Sequence, residues 1–143
     1  MEVEILKKTD INDTVRQQIT ELYKQLNDSL KQCPLHQILQ EDNHVIFAIC
    51  TVEQEIVGIA LLATYKVISG RRGMIEDVVV DIEHRGKGIG RRLMEKLLEE
   101  AKNKHLDSVM LFSGHHREAA INLYKSLGFS QRDSGVYNLK LTD

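Results

Sequence analysis

The sequence predicts a mixed α/β domain, with antiparallel strands first and a strand-helix-strand-helix-strand half second, and three observations point to it. Runs rich in β-branched residues follow one another closely at Val45 to Val52, Ile56 to Val67 and Met74 to Val80. Apolar residues three and four apart (Val15, Ile19, Leu22, Leu26, Leu30, and later Ile89, Leu93, Leu97, Ala101) mark amphipathic helices on either side of those runs. At 143 residues the chain has the size of one domain, able to bury roughly 70% of its unfolded surface in one core. We therefore expect residues 1–143 to form one domain.

The elements follow in order. Val3 to Lys7 alternates weakly and reads as an edge strand, after which Asn12, Asp13 and Thr14 offer caps for the first helix. Its apolar stripe runs as far as Leu30. Pro34, the only proline, opens a short helix over Leu35 to Leu39. The polar Glu53-Gln54-Glu55 joins two strands as a hairpin, and Ser69 to Gly73 reads as a loop by its glycines and arginines. From Gly88 to about Asn103 the apolar stripe opposes Glu95, Lys96, Glu99 and Glu100, so this helix should pack on a sheet. Ser108 to Phe112 reads as a further strand, Arg117 to Leu127 as a helix stopped by Gly128, and Val136 to Leu141 as a last strand.

Bulk composition excludes several classes. A net charge of −2 gives no case for nucleic-acid binding. No apolar run approaches the ~20 residues of a membrane span, and Met1 to Leu6 lacks a leader pattern, so the expectation is a cytoplasmic protein that engages no membrane. Cys33 and Cys50 form no CxxC pair and no cluster with histidines at metal spacing; two free thiols and no metal are expected.

The chemistry concentrates where Met74 to Val80 gives way to Arg85-Gly86-Lys87-Gly88-Ile89-Gly90-Arg91. Glycines between a strand and a helix let the backbone approach an anion, and successive N–H groups at the positive end of a helix dipole bind phosphate. Arg85, Lys87 and Arg91 add positive charge. The spacing fits neither a P-loop, because Gly90 is followed by Arg91-Arg92, nor a dinucleotide fingerprint. The loop alone predicts pyrophosphate binding and leaves a nucleotide-phosphate binder open.

The wider context resembles the GNAT superfamily of N-acetyltransferases, whose signature, Arg/Gln-x-x-Gly-x-Gly/Ala after a central strand, is matched by Arg85 to Gly90 following Glu76-Asp77-Val78-Val79-Val80. A second family element, a tyrosine followed by Leu-Gly-Phe, is matched by Tyr124-Lys125-Ser126-Leu127-Gly128-Phe129. The resemblance covers Ile46 to the C-terminus well, and Met1 to Asp42 only in plan. It implies a single GNAT-like domain: a mixed sheet of about six to seven strands, splayed into a V after Phe112 and flanked by about four helices. Acetyl-CoA would be the co-substrate, its pantetheine arm pairing with the backbone of Val78 and Val80 on either side of Val79, and its pyrophosphate held by Arg85, Gly86, Lys87, Gly88, Ile89, Gly90 and Arg91. The acceptor would be a primary amine of a small molecule or a protein, attacking directly within a ternary complex. Family habit allows a homodimer through the C-terminal strand.

An amine must lose a proton before it attacks a thioester, and a carboxylate in the cleft can take it directly or through water. Glu76 is the candidate base; strict alternation puts it on one face with Val78 and Val80, and Asp77 on the other with Val79. The plain alternative is that either acid bonds neighbouring groups at the sheet end. Tyr124 matches the family tyrosine that protonates the departing thiolate, the alternative being a packed aromatic. Many members carry Asn seven residues earlier, where this chain has Arg117. Asp77, His115 and His116 are candidates for the acceptor site, and Arg71 and Arg72 for attracting an anionic acceptor; solvated loop residues are the alternative for both pairs. A catalytically idle acyl-CoA-binding sensor or assembly module would keep the glycine loop without needing Glu76 or Tyr124.

Overall fold

A computed structural model describes residues 1–142. Strand β1 (Glu2–Ile5), a 3-10 turn (Lys8–Asp10), α1 (Asp13–Tyr23) and the short α2 (Leu35–Ile38) lead into β2 (Val45–Val52), β3 (Glu55–Val67) and β4 (Gly70–Val80). A second 3-10 turn (Ile82–His84), α3 (Ile89–Asn103), β5 (Ser108–Met110) and α4 (Glu118–Ser126) complete the order. The sheet runs β1-β2-β3-β4-β5, antiparallel up to β4 with β5 parallel to β4. Residues Met1–Phe112 form one compact unit, holding the sheet and α1 to α3, and the chain from Ser113 onward forms a second, holding α4.

The sheet carries a packed layer on each face. On one, Ile19 and Leu22 of α1 and Leu35 of α2 join Leu6, Phe47, Ile49, Ile59, Leu61 and Val79 in a single apolar cluster. On the other, α3 buries Ile89, Leu93, Met94, Leu97 and Ala101; each large side chain so buried contributes about 1.5–3 kcal/mol. Helix α3 lies hard against β3 at Gly58, where an added Cβ would stand 2.9 Å from Ile89 Cγ2 and 3.0 Å from Leu93 Cδ1.

Several boundaries differ from the sequence reading, each for a local reason. Helix α1 starts as expected, with Asn12 Oδ1 accepting from the Val15 N–H at 2.8 Å, but ends at Tyr23 although the stripe continues to Leu30. Asn27 accepts from the Ser29 N–H and hydroxyl, a local bond that competes with helix, and Leu30 is left 51% exposed. The hairpin between β2 and β3 turns on Glu53 and Gln54, both at positive φ (50° and 69°), the backbone that two-residue hairpin turns of type I′ require.

Ser69 to Gly73 is not a loop: β4 begins at Gly70, and Arg71, Arg72 and Gly73 pair with Lys66, Tyr65 and Thr64. Gly73 is a packing glycine, because a Cβ there would lie 2.7 Å from Leu62 Cδ1. Arg72 donates to the Ser69 hydroxyl and the Arg71 N–H to Asp107. Strand β5 stops at Met110, short of Phe112. The sheet has five strands among the described residues rather than six to seven, because Val136 to Leu141 forms no strand. Alternating apolar residues fix a strand only where one face is covered, and Val136, Tyr137, Leu139 and Leu141 are 67%, 98%, 81% and 88% exposed.

Candidate active site

The site is built around an irregularity in β4. Glu76 pairs with Leu61 and Val79 with Ile59, so Asp77 and Val78 together oppose Ala60 alone. This is a β-bulge, and Asp77 carries its positive φ of 53°, unusual for a residue with a side chain. The extra residue breaks the alternation assumed from sequence. Glu76 shares the α1 face with Val79, opposite the Leu61 and Ile59 of the α1 cluster, rather than sharing a face with Val78 and Val80. Ile75, on the other side of the bulge, is buried with its partner Leu62.

Beyond the bulge β4 has a free edge. Its pairing with β5 covers only Arg72, Gly73 and Met74, so from Ile75 to Val80 no strand of the described residues lies on that side. The Asp81 N–H donates to the Val57 carbonyl at 2.8 Å. Since main-chain groups point alternately to the two sides of a strand, Val79 turns towards β3 while Val78 and Val80 turn outward. Arg85 Nε reaches the outward Val80 carbonyl at 3.1 Å.

The glycine turn follows. Gly86 and Gly88 have φ of 78° and 80°, and a Cβ on either would meet no heavy atom within 4 Å. The space above the turn is open, and the backbone is one that glycine adopts without cost. Gly88 caps α3 without a side chain, its carbonyl accepting the Arg92 N–H at 3.1 Å. The N–H groups at this helix start have no acceptor within the helix. Arg85, Lys87 and Arg91 are exposed beside the turn, whereas Ile89 is 2% exposed and offers the turn only its main chain.

Two residues that the sequence did not single out flank these features from the end of α1. The Tyr23 hydroxyl hydrogen-bonds the Asp77 carboxyl, and burial followed by the Asp77 charge raises the Tyr23 pKa. Gln25, just past the helix, grips the chain after β4: its Nε2 donates to Asp81 Oδ1 at 2.7 Å and its Oε1 accepts from the Ile82 N–H at 2.9 Å. Tyr23 lies four residues after Ile19, on the margin of the apolar stripe, which is the only signal that could have found it. Nothing in the sequence marks Gln25.

The carboxyls are perturbed in opposite directions. Burial pushes Glu76 up, and the neighbouring Asp77 charge adds to it. Burial also raises Asp77, with the Tyr23 hydrogen bond opposing. Both acids keep solvent-accessible surface, so these are carboxyls open to solvent. Asp81 is held below the usual carboxylate range by the Gln25 amide and then by His84, whose Nδ1 lies 2.8 Å from Asp81 Oδ2.

The second unit holds the remaining candidates. Tyr124, on α4, stacks edge-on against Phe129 with ring centroids 6.2 Å apart, and burial raises its pKa against the opposing Arg117 charge. A phenol so raised stays protonated at neutral pH. Arg117 precedes α4 as its N-cap residue. His115 and His116 are exposed in the turn before it, the His116 ring folded over Gly114. Thus Glu76, Asp77, the outward main chain of Val78 and Val80, and the glycine turn all belong to the first unit; Tyr124, His115 and His116 belong to the second.

An open strand edge thus runs into a left-handed glycine turn and a helix start that no side chain caps. Residues 12–129 match the acetyltransferase (GNAT) family. The chain belongs to that family. This GNAT chain is 38% identical over 79 residues to an uncharacterized N-acetyltransferase of Bacillus subtilis, an alignment covering 55% of the chain and 32% of the relative. It is 29% identical to an IAA acetyltransferase of Azospirillum brasilense, covering 91% of the chain and 86% of the relative. Among solved structures, glucosamine-6-phosphate N-acetyltransferase of Arabidopsis thaliana superposes with a TM-score of 0.78 at 21% identity, covering 96% of this chain and 97% of that one; that likeness is one of fold. The chain thus spans about a third of the length of the Bacillus relative. Among the described residues, no helix is long and apolar enough to cross a membrane.

Proposed function

We propose that the chain is an acetyl-CoA-dependent N-acetyltransferase that moves the acetyl group directly to a primary amine of a small molecule or protein. The observation that carries this reading is the free edge of β4 between the Asp77 bulge and the glycine turn. It offers outward main-chain groups at Val78 and Val80 to the amides of an extended arm, and an anion cradle at the end of the same line. A pyrophosphate suits that turn because no heavy atom of the described residues lies within 4 Å of a Cβ built on Gly86 or Gly88, and Arg85, Lys87 and Arg91 supply charge around it. The family co-substrate carries both groups.

In this reading Glu76 takes the proton of the incoming ammonium, directly or through water. Its raised pKa moves it towards the range in which a base is effective at neutral pH. A main-chain N–H on the free edge polarises the thioester carbonyl as negative charge develops there. Tyr124, matched by its place before Leu127-Gly128-Phe129, protonates the departing CoA thiolate, and its protonated state at neutral pH suits an acid. Asp77, His115 and His116 are assigned to the acceptor side. The test is release of free thiol from acetyl-CoA with a panel of amines. Turnover with at least one amine is expected; tight CoA binding without turnover by any acceptor would instead favour an idle acyl-CoA-binding module.

A further inference from the structure

The cofactor turn does not hang freely from β4. Besides bonds within the turn from Arg85 to Val80 and from His84 to the Asp81 carbonyl, Asp81 and Ile82 make three ties: the Asp81 N–H to the Val57 carbonyl at 2.8 Å, Asp81 and Ile82 to the two ends of the Gln25 amide at 2.7 and 2.9 Å, and the Asp81 carboxylate to His84 Nδ1 at 2.8 Å. The first belongs to the sheet and the third is internal to the turn. Of the three, the Gln25 tie is the one that links this stretch to another layer, reaching it across more than fifty residues of sequence from the end of α1. Both functional ends of its amide are used, so the side chain has one orientation and fixes two consecutive residues at once.

We propose that Gln25 is a positioning residue for the co-substrate: by clamping Asp81 and Ile82 to the end of α1, it sets the place at which Arg85 to Gly90 meets the pyrophosphate. This rests on the acetyl-CoA reading above. The clamp has a consequence for the α1 end itself. The same turn carries Tyr23 to Asp77 and Gln25 to Asp81, so the acceptor side and the donor side of β4 are braced by residues two apart.

The donors and acceptors of the clamp can be exchanged, which gives a test that a general loss of stability would not pass. In Gln25→Glu a carboxylate faces the Asp81 carboxylate. In the Gln25→Glu/Asp81→Asn double variant, the new amide at position 81 donates to the new carboxylate at position 25, which still accepts from the Ile82 N–H, and net charge equals that of the wild type. Gln25→Asn removes one methylene without changing charge, and can no longer span both partners. Titration calorimetry of the full chain with CoA reads the affinity. A hydrogen bond to a charged group is worth enough that Gln25→Glu and Gln25→Asn should each weaken CoA about tenfold. The double variant should return to within about threefold of wild type, and in turnover assays the Gln25→Asn loss should fall on KM for acetyl-CoA rather than on kcat. Wild-type affinity in Gln25→Asn, or a Gln25→Glu defect that Asp81→Asn fails to reverse, overturns the clamp while leaving the acetyl-CoA reading intact. Absence of CoA binding by the wild-type chain overturns that reading and the clamp together.

Discussion

At the scale of single residues, Glu76, the proposed base, carries an energetic cost. Its folded pKa is raised by burial and by the Asp77 charge, so ionising it is harder in the folded chain than in the unfolded one. The cost is absent below the unfolded pKa, grows as pH rises to the folded pKa, and is fully present above it. Glu76→Gln should therefore melt at or above the wild-type temperature at pH 7, the difference closing as the pH is taken down into the carboxyl range. The same variant should lose about a hundredfold in turnover at neutral pH, with the residual rate climbing with pH as free amine forms in solution; undiminished activity at pH 7 would remove Glu76 as the base. Tyr124→Phe keeps the edge contact with Phe129 and loses only the hydroxyl. It should lower kcat by about tenfold or more while leaving CoA affinity close to wild type, and an unchanged kcat would end its assignment as the acid.

At the scale of elements, the glycines of the proposed cofactor turn can be told apart from those that serve packing. Gly88→Val places a β-branched residue at φ 80° at the start of α3, a strain of about 1–2 kcal/mol, and its side chain enters the space above the turn; CoA titration should show weakened binding. Gly58→Ala instead meets Ile89 and Leu93 beneath the sheet. Overpacking of that kind costs about 1–3 kcal/mol, which urea unfolding would register, with KM for acetyl-CoA little altered. These elements also show where sequence reasoning succeeds. The period of Ile89, Leu93, Leu97 and Ala101 gives α3 because all four are buried on one face, and the glycine turn is legible because its conformation is local. The end of α1, the length of β4 and the Asp77 bulge were not legible. The apolar stripe continues past Tyr23 while Asn27 diverts the chain, Gly73 looks like a turn residue but serves close packing, and a bulge leaves no trace in a strand's composition. Tyr23 and Gln25 depend on contacts from α1 to β4 that no local pattern encodes.

At the scale of the whole molecule, co-substrate binding should appear as stability. A ligand held by β4, the glycine turn and α3 binds only where those elements are assembled, so CoA at a hundred times its Kd should stabilise the chain by about 2.7 kcal/mol. Thermal melts across a CoA titration read this directly; no shift would speak against the acetyl-CoA reading as a whole. Strand β4 buries residues on both faces of the sheet, since Ile75 is buried opposite Leu62 and Val79 joins the cluster under α1. They are four residues apart, an even number that in a regular strand would send both the same way. The additional residue at Asp77 and Val78 changes the parity of the count. It turns Val79 to the face opposite Ile75 and leaves Glu76 and Asp77 at the change of face. Between Ile75 and Val79, then, the fold should tolerate exchange of the exposed side chains but no change of length: one residue more or fewer would turn an anchor to the wrong face.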